Sequence, residues 1–286
     1  MTAAYISAMR GHKVTLFDQR PELGGQINYA VKIPGKEEFY EVLRFYRVML
    51  EKYGVELKLG QVVSAETTIS GNYDAVVLAT GVQPRKIELE GSNHPKVLTY
   101  LDVLDKERIV GQKVAVIGAG GIGIDVAHFL TAQTPFSGEV PDYLHGYGIL
   151  DSEAALALRK PKKREVTVLQ RSVEKIGKRL GKTTGWAHIQ TLKSHGVQLL
   201  PGATYLKIDD YGLHVRVALK KGGEPQEIVL EVDNVIVAAG QEPKRDMETS
   251  LRKAGLEVHV IGGAKEVSGL DAETAIKDGA ELAVKF

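Results

Sequence analysis

The chain contains no cysteine among its 286 residues. That excludes disulfides, a CxxC redox pair, thiolate catalysis and any cysteine-ligated iron–sulfur cluster. An excess of charge is missing too. With 37 Lys and Arg against 36 Asp and Glu, the formal net charge is +1, and nothing electrostatic points to nucleic acid or an anionic membrane as partner. The one basic run, Arg159–Arg164, is short, broken by Pro161, and reads as a solvated loop. The eight histidines are scattered, with no HExxH or paired spacing, so no metal site is expected. Long apolar runs are also lacking. The most apolar stretch, Val114–Leu130, carries four glycines, Asp125 and His128 and is no membrane span. Residues 1–9 are mildly apolar but lead into no signal-peptide pattern, so a cytoplasmic location is expected.

What the chain does have is an internal repeat. KVTLFDQR (13–20) is answered by EVTVLQRS (165–172), YGVELKLG (53–60) by HGVQLLPG (195–202), and YDAVVLATGVQPR (73–85) by VDNVIVAAGQEPKR (232–245). Three matched segments in one order, at a period far too long for a solenoid, read as two related domains. Each copy follows one grammar. An apolar β-branched run ends in a polar residue, as a buried parallel strand does. A helix follows, Glu37–Tyr53 or Thr184–His195, the first with Phe39, Val42, Leu43, Tyr46 and Leu50 on one face. Then come a short strand after Gly54 or Gly196, a hairpin-like region, and a last strand running into ATG (79–81) or AAG (238–240). In the second copy the hairpin region is residues 202–233, with turn signals at Asp210–Gly212 and Gly222–Gly223.

Only the second copy shows its beginning. VAVIGAGGIGIDVA (114–127) is strand, glycine turn and helix start together, and Gly118, Gly120 and Gly123 fit G-x-G-x-x-G. Gly118 permits the tight turn, Gly120 lets a pyrophosphate approach the backbone, and Gly123 lets the helix pack on the strand; the helix start supplies free N–H groups and a positive dipole. Dinucleotide binding is the expectation. An NAD site ends its second strand in Asp or Glu, which accepts from the ribose 2′-hydroxyl. Here that position falls at Gln170–Arg171, where no carboxylate repels a 2′-phosphate and Arg171 can bind one. Lys178, Arg179 and Lys182 follow closely. NADPH is therefore the expected cofactor, the alternative being a surface arginine with cationic neighbours. Arg171 lies farther from Gly118 than usual because Thr131–Lys163 is inserted between helix and strand.

In the first copy the equivalent strand ends at Asp18, whose carboxylate suits the ribose of an adenine cofactor without a 2′-phosphate, such as FAD. LGGQ (23–26) adds a glycine pair and an amide. Residues 258–279 read as a final strand, a glycine turn and a helix starting near Asp271. The expected fold is α/β with two Rossmann-like domains: an FAD-type domain of residues 1–107 and 246–286, with an NADP-binding domain, 108–245, inserted in it. The first copy lacks the strand and glycine turn that open the second, so a central strand is expected to be missing directly before Met1.

IPGKEEFYEVLRFYR (33–47), HPKVLTYLDVL (94–104), LGKTTGW (180–186), LPGATYLKIDDYGLHV (200–215) and AGQEP (239–243) resemble the bacterial 2,4-dienoyl-CoA reductases of fatty acid β-oxidation, relatives of trimethylamine dehydrogenase and the old yellow enzymes. The resemblance covers essentially all of this chain and only the C-terminal portion of the family. It implies an FMN-bearing TIM barrel, a [4Fe–4S] cluster, and then FAD and NADP domains that pass electrons from NADPH towards the barrel. It implies that Gly118, Gly120, Gly123 and Arg171 meet NADPH, with Gly121 and Gly240 in the same cofactor-binding set, and that Asp18, Gly25, Gln26, Gly81 and Gly263 meet FAD. No barrel, FMN site or cluster cysteine exists here. Complete dienoyl-CoA reduction is thus expected to need a separate FMN/iron–sulfur barrel protein, and no catalytic residue is assigned. The alternative is an NADP(H)-binding module, or a gene fragment, inactive without a partner that supplies strand and barrel.

Overall fold

The computed structural model describes residues 1–132, 139–159, 164–178, 180–181, 183–218 and 223–286. It is mixed α/β and divides into two units, Met1–Arg85 with Gln241–Phe286, and Lys86–Gly240.

The first unit opens with α1 (Thr2–Met9), β1 (Thr15–Asp18), α2 (Ile27–Ala30), α3 (Phe39–Lys52) and β2 (Glu56–Leu59). The apolar positions of α3 place Leu43, Tyr46 and Leu50 on its buried face, and Gly54 ends the helix at φ +66°. Leu50 is fully buried and forms a small core with Leu23 and Val55, onto which α1 and β1 pack through Ala4, Tyr5 and Leu16. The hydroxyls of Thr2 and Tyr46 share a 2.6 Å hydrogen bond across that contact. β1 and β2 run parallel, Thr15 opposite Glu56 and Asp18 opposite Leu59. Next comes α4 (Ala65–Ser70), which corrects the hairpin expected here in the first copy. Ser64 caps it by accepting from the Thr67 amide at 3.1 Å, a Ser-led helix start in a segment too short for two strands. β3 (Ala75–Leu78) and β4 (Val82–Pro84) follow.

The second unit begins with β5 (Val97–Thr99), α5 (Tyr100–Leu104), β6 (Lys113–Ile117), α6 (Gly121–Thr131), α7 (Glu139–Gly146), α8 (Ser152–Arg159) and β7 (Glu165–Gln170). It continues through α9 (Gly185–Ser194), β8 (Gln198–Pro201), β9 (Thr204–Asp209), β10 (Gly212–Val217), β11 (Gln226–Leu230) and β12 (Asn234–Val237). Five parallel strands form one sheet in the order β5-β12-β6-β7-β8. β6 lies at its centre with Val114, Ala115, Val116 and Ile117 fully buried, which is why it reads as an unbroken apolar run. The antiparallel set β9-β10-β11 shares a core with the sheet, Leu213 and Val215 lying with Ala115, Ile117, Leu169 and Val235. Below β6, the Asp233 carboxylate accepts from the amides of Gln112 and Lys113, both at 2.8 Å. Because β5 pairs with β12, residues 97–104 belong to this unit. Its boundary therefore falls at 85/86 rather than near residue 107.

The chain re-enters the first unit through β13 (Gln241–Pro243), α10 (Glu248–Lys253), β14 (Glu257–Val260), a 3-10 turn at Gly262–Ala264 and α11 (Ala272–Ala283). β13 pairs antiparallel with β4, Gln241 opposite Pro84. β14 pairs parallel with β3, and Asp271 caps α11 by accepting from the Thr274 amide at 2.8 Å. Among the described residues, β1–β2 and β3–β14 are separate ladders.

α5 is held by a reciprocal cap. Thr99 Oγ1 accepts from the Asp102 amide at 3.2 Å, and the Asp102 carboxylate accepts from the Thr99 amide and hydroxyl at 2.7 Å and from Lys106 Nζ at 2.9 Å. Burial pushes the Asp102 carboxyl up, but these bonds outweigh it and hold it below its ordinary range. Such a carboxyl contributes its full stabilisation above the unfolded-state pKa, about 4, and loses it as pH falls through the lower folded value. Thr99→Ala is expected to cost about 1 kcal/mol at pH 7 and to flatten the acid limb of the urea-midpoint profile below about pH 4.

Candidate functional site

The C-terminal ends of β7, β6 and β12 bring together Gly118, Gly120, Gly121, Gly123, Arg171 and Gly240. The chain leaves β6 through Gly118 at φ +110°, and the Gly118 amide donates to Leu169 O of β7 at 2.9 Å. A Cβ on Gly118 would lie 2.3 Å from Ala238 O, and one on Gly123 would lie 1.9 Å from Gly118 O. These two glycines are therefore imposed by packing inside the unit. Gly120 and Gly121 are different, because an added Cβ there would meet nothing within 4 Å. Gly120 is the extended N-cap of α6 and has no side chain to cap it. The first N–H groups of α6 have no partner within the helix and carry its positive dipole end, so this turn can receive an anion at the backbone itself. Gly240, at φ +111°, stands exposed beyond β12, two residues from the Ala238 carbonyl that abuts Gly118.

Arg171 follows directly after β7, the strand neighbouring β6, whose register sets Leu169 opposite Ile117, so its backbone leaves the sheet at the same end as the glycine turn. Its side chain is exposed, and no hydrogen bond or ion pair engages it among the described residues. Its positive charge reaches Tyr205 on β9. Burial pushes the Tyr205 hydroxyl up to about 12, with Arg171 pulling the other way. Gln170 does not face outward as a ribose contact. Its amide donates to Ser172 O at 3.0 Å and to Glu174 O, a role that escapes sequence inspection because only the turn geometry exposes it. Lys178 pairs with the Glu174 carboxylate, while Arg179, Lys182, Gly222 and residues 160–163 of the basic run lie outside the described residues.

In the first unit, Asp18 ends β1 and its Oδ1 accepts from the Arg20 amide at 2.9 Å. Of the glycine pair, Gly24, at φ +133°, is tightly enclosed, a Cβ there lying 2.3 Å from Asn28 Oδ1. Gly25, at φ +54°, opens to free space. Gln26 is exposed at the start of α2, and its side chain makes no capping bond. Gly81, at φ +72°, also faces open space, and a Cβ on Gly263 would lie 2.7 Å from Val82 and 3.4 Å from the Gly81 carbonyl carbon. The structure thus brings Gly81 and Gly263 together. Asp18 ends β1, whereas Gly81 lies in the connection between β3 and β4, neither of which pairs with β1. Among the described residues no group of three or more His, Asp or Glu side chains is placed to hold a metal ion, and no helix is long and apolar enough to cross a membrane.

The family model of the pyridine nucleotide-disulphide oxidoreductases matches residues 1–265. The chain is 27% identical over 265 residues to the metal reductase of Desulforamulus reducens, covering 91% of this chain and 39% of that protein. It is 28% identical over 277 residues to the cinnamate reductase of Clostridium sporogenes, covering 94% and 35%. Among solved structures, a 2-naphthoyl-CoA reductase in complex with 2-naphthoyl-CoA superposes with a TM-score of 0.82 at 26% identity, over all of this chain and 38% of that one. The thioredoxin reductase of T. acidophilum shares the fold, with a TM-score of 0.64 at 16% identity over 99% of this chain and 92% of that one. This chain spans roughly two-fifths of the length of the curated relatives it matches.

The contrast among the glycines is directly measurable. Gly123→Ala is expected to cost about 1–3 kcal/mol in urea unfolding through overpacking against Gly118 O. Gly121→Ala, in open space on the first turn of a helix, should leave stability unchanged or raise it by up to about 1 kcal/mol.

Proposed function

The chain belongs to the pyridine nucleotide-disulphide oxidoreductase family, and from that premise we propose that it is the NADPH-to-flavin electron-transfer portion of a larger reductase resembling the 2,4-dienoyl-CoA reductases. We read both units as Rossmann-like: Lys86–Gly240 as the NADP domain, inserted in an FAD-type domain made of Met1–Arg85 and Gln241–Phe286. The observation that carries this reading is an open glycine turn after β6 together with an exposed Arg171 at the end of the neighbouring strand β7. The reductase names of relatives more than twice as long support the wider assignment.

The residues fit the cofactors by their chemistry. The amides at Gly120 and Gly121 and the α6 dipole would hold the NADPH pyrophosphate, with Gly240 leaving the neighbouring loop without side-chain bulk. Arg171 would form a charge-assisted bond with the 2′-phosphate. Asp18 would accept from an FAD ribose hydroxyl, and Gly25, Gln26, Gly81 and Gly263 would line the remainder of that site. When bound, NADPH supplies a hydride, two electrons together, and FAD is the group that takes it up. Transfer between stacked rings asks the protein chiefly for positioning, so no acid–base residue is assigned. The eventual acceptor we assign is a barrel carrying FMN and an iron–sulfur cluster, since these 286 residues contain no cysteine to ligate one.

A second reading is favoured by the separate β1–β2 and β3–β14 ladders. In it the second unit binds NADP(H), and the first takes up flavin only when a further strand joins the two ladders.

The visible spectrum separates the two. Purified chain should show oxidised-flavin absorption that NADPH bleaches under anaerobic conditions; a colourless chain that still binds NADPH would sink the electron-transfer reading and leave the second. Arg171→Ala is expected to weaken NADPH about tenfold or more, the scale of one lost charge-assisted hydrogen bond, with NADH unchanged.

A further inference from the structure

We propose that Gln170 is a positioning residue for 2′-phosphate recognition, its side-chain amide holding the turn from which Arg171 projects. This rests on the reading of the second unit as the NADP domain.

The two copies supply the comparison. Asp18 and Gln170 occupy the same place, the last residue of β1 and of β7. Each side chain bonds the backbone two residues on, with opposite polarity. Asp18 Oδ1 accepts from the Arg20 amide. Gln170 Nε2 donates to the carbonyls of Ser172, at 3.0 Å, and Glu174. Both of its neighbours are carbonyl oxygens with lone pairs only, so the NH₂ end of the side chain must face them.

The turn is fixed from its other side as well. Ser172 O also receives the Gly202 amide at 2.9 Å, and Gln170 O receives the Ala203 amide at 2.9 Å. The Glu174 amide donates to Ser172 Oγ at 3.2 Å. Backbone on both sides of Arg171 is thereby pinned while its side chain stays exposed. Pinning the base of a long side chain lowers the ordering cost when its guanidinium meets an anion. A carboxylate at position 170 has no hydrogen to give. It would face two carbonyl oxygens and add negative charge beside the phosphate. The amide therefore anchors the turn and keeps a carboxylate out of the strand end.

The test uses the full chain and two probes that differ only in the 2′-phosphate, adenosine 2′,5′-bisphosphate and AMP, titrated calorimetrically. Wild type should prefer the bisphosphate and Arg171→Ala should abolish the preference; if Arg171→Ala keeps it, the NADP reading itself fails. With that reading standing, Gln170→Met is expected to lower bisphosphate affinity about tenfold, on the scale of about 1.4 kcal/mol per decade, with AMP within about twofold. In the Arg171→Ala background the same change should alter bisphosphate affinity less than about twofold, since its effect acts through Arg171. Gln170→Glu should shift preference further towards AMP. An unchanged bisphosphate-to-AMP ratio in Gln170→Met, or an equal loss with and without Arg171, overturns the positioning role alone. Should Gln170→Met fail to fold by circular dichroism, Gln170→Asn, which keeps the amide but shortens its reach, is judged by the same criteria.

Discussion

The carbonyl of Gly118 and the α-carbon of Gly123 lie so close that one methyl group at 123 would fall 1.9 Å from that oxygen. No side chain can be interposed there, and the contact fixes where the first turn of α6 stands relative to the end of β6. That placement goes with the open backbone at Gly120 and Gly121 and the close abutment of Ala238 on Gly118. β6 itself is held by the full burial of Val114, Ala115, Val116 and Ile117, with β12 and β7 hydrogen-bonded to its two edges. The buried central strand of the second unit thus ends in the backbone groups best suited to receive an anion.

The two units are held together with different inventories. In the second, one strand joins β12 to β7 and a single sheet results. In the first, the described residues form the separate ladders β1–β2 and β3–β14, held by other means. α1 and β1 pack on Leu23, Leu50 and Val55, and Leu78 shares a core with Leu251 and Val258. The glycines repeat this division of labour. Gly24, Gly118, Gly123 and Gly263 are demanded by neighbouring atoms, whereas Gly25, Gly81, Gly120 and Gly121 border open space.

Much of this was legible in the residues. The unbroken apolar run at 113–117, the glycine spacing after it and the heptad-like face of α3 each announce a single local structure, so their elements lie where the pattern puts them. Segments whose partners are distant were not legible. Val97–Thr99 is too short to declare its sheet, and only its pairing with β12 assigns it to the second unit. Residues 65–70 carry no strong period, and Ser64 decides their helix through a cap. Gln170 was visible as a missing carboxylate, but its donation to two carbonyls depends on how residues 172–174 fold back, which no spacing encodes. For the same reason Tyr205 on β9, on which the charge of Arg171 acts, carried no signal of its own.

β4 and β13 run antiparallel with Pro84 opposite Gln241, so the residues flanking the 155-residue unit Lys86–Gly240 are neighbours across one short ladder. A guest that departs and returns through adjacent strands asks its host for no new span and leaves the host core uninterrupted. In genetic terms, such a junction tolerates insertion, duplication or replacement of everything between its two strands.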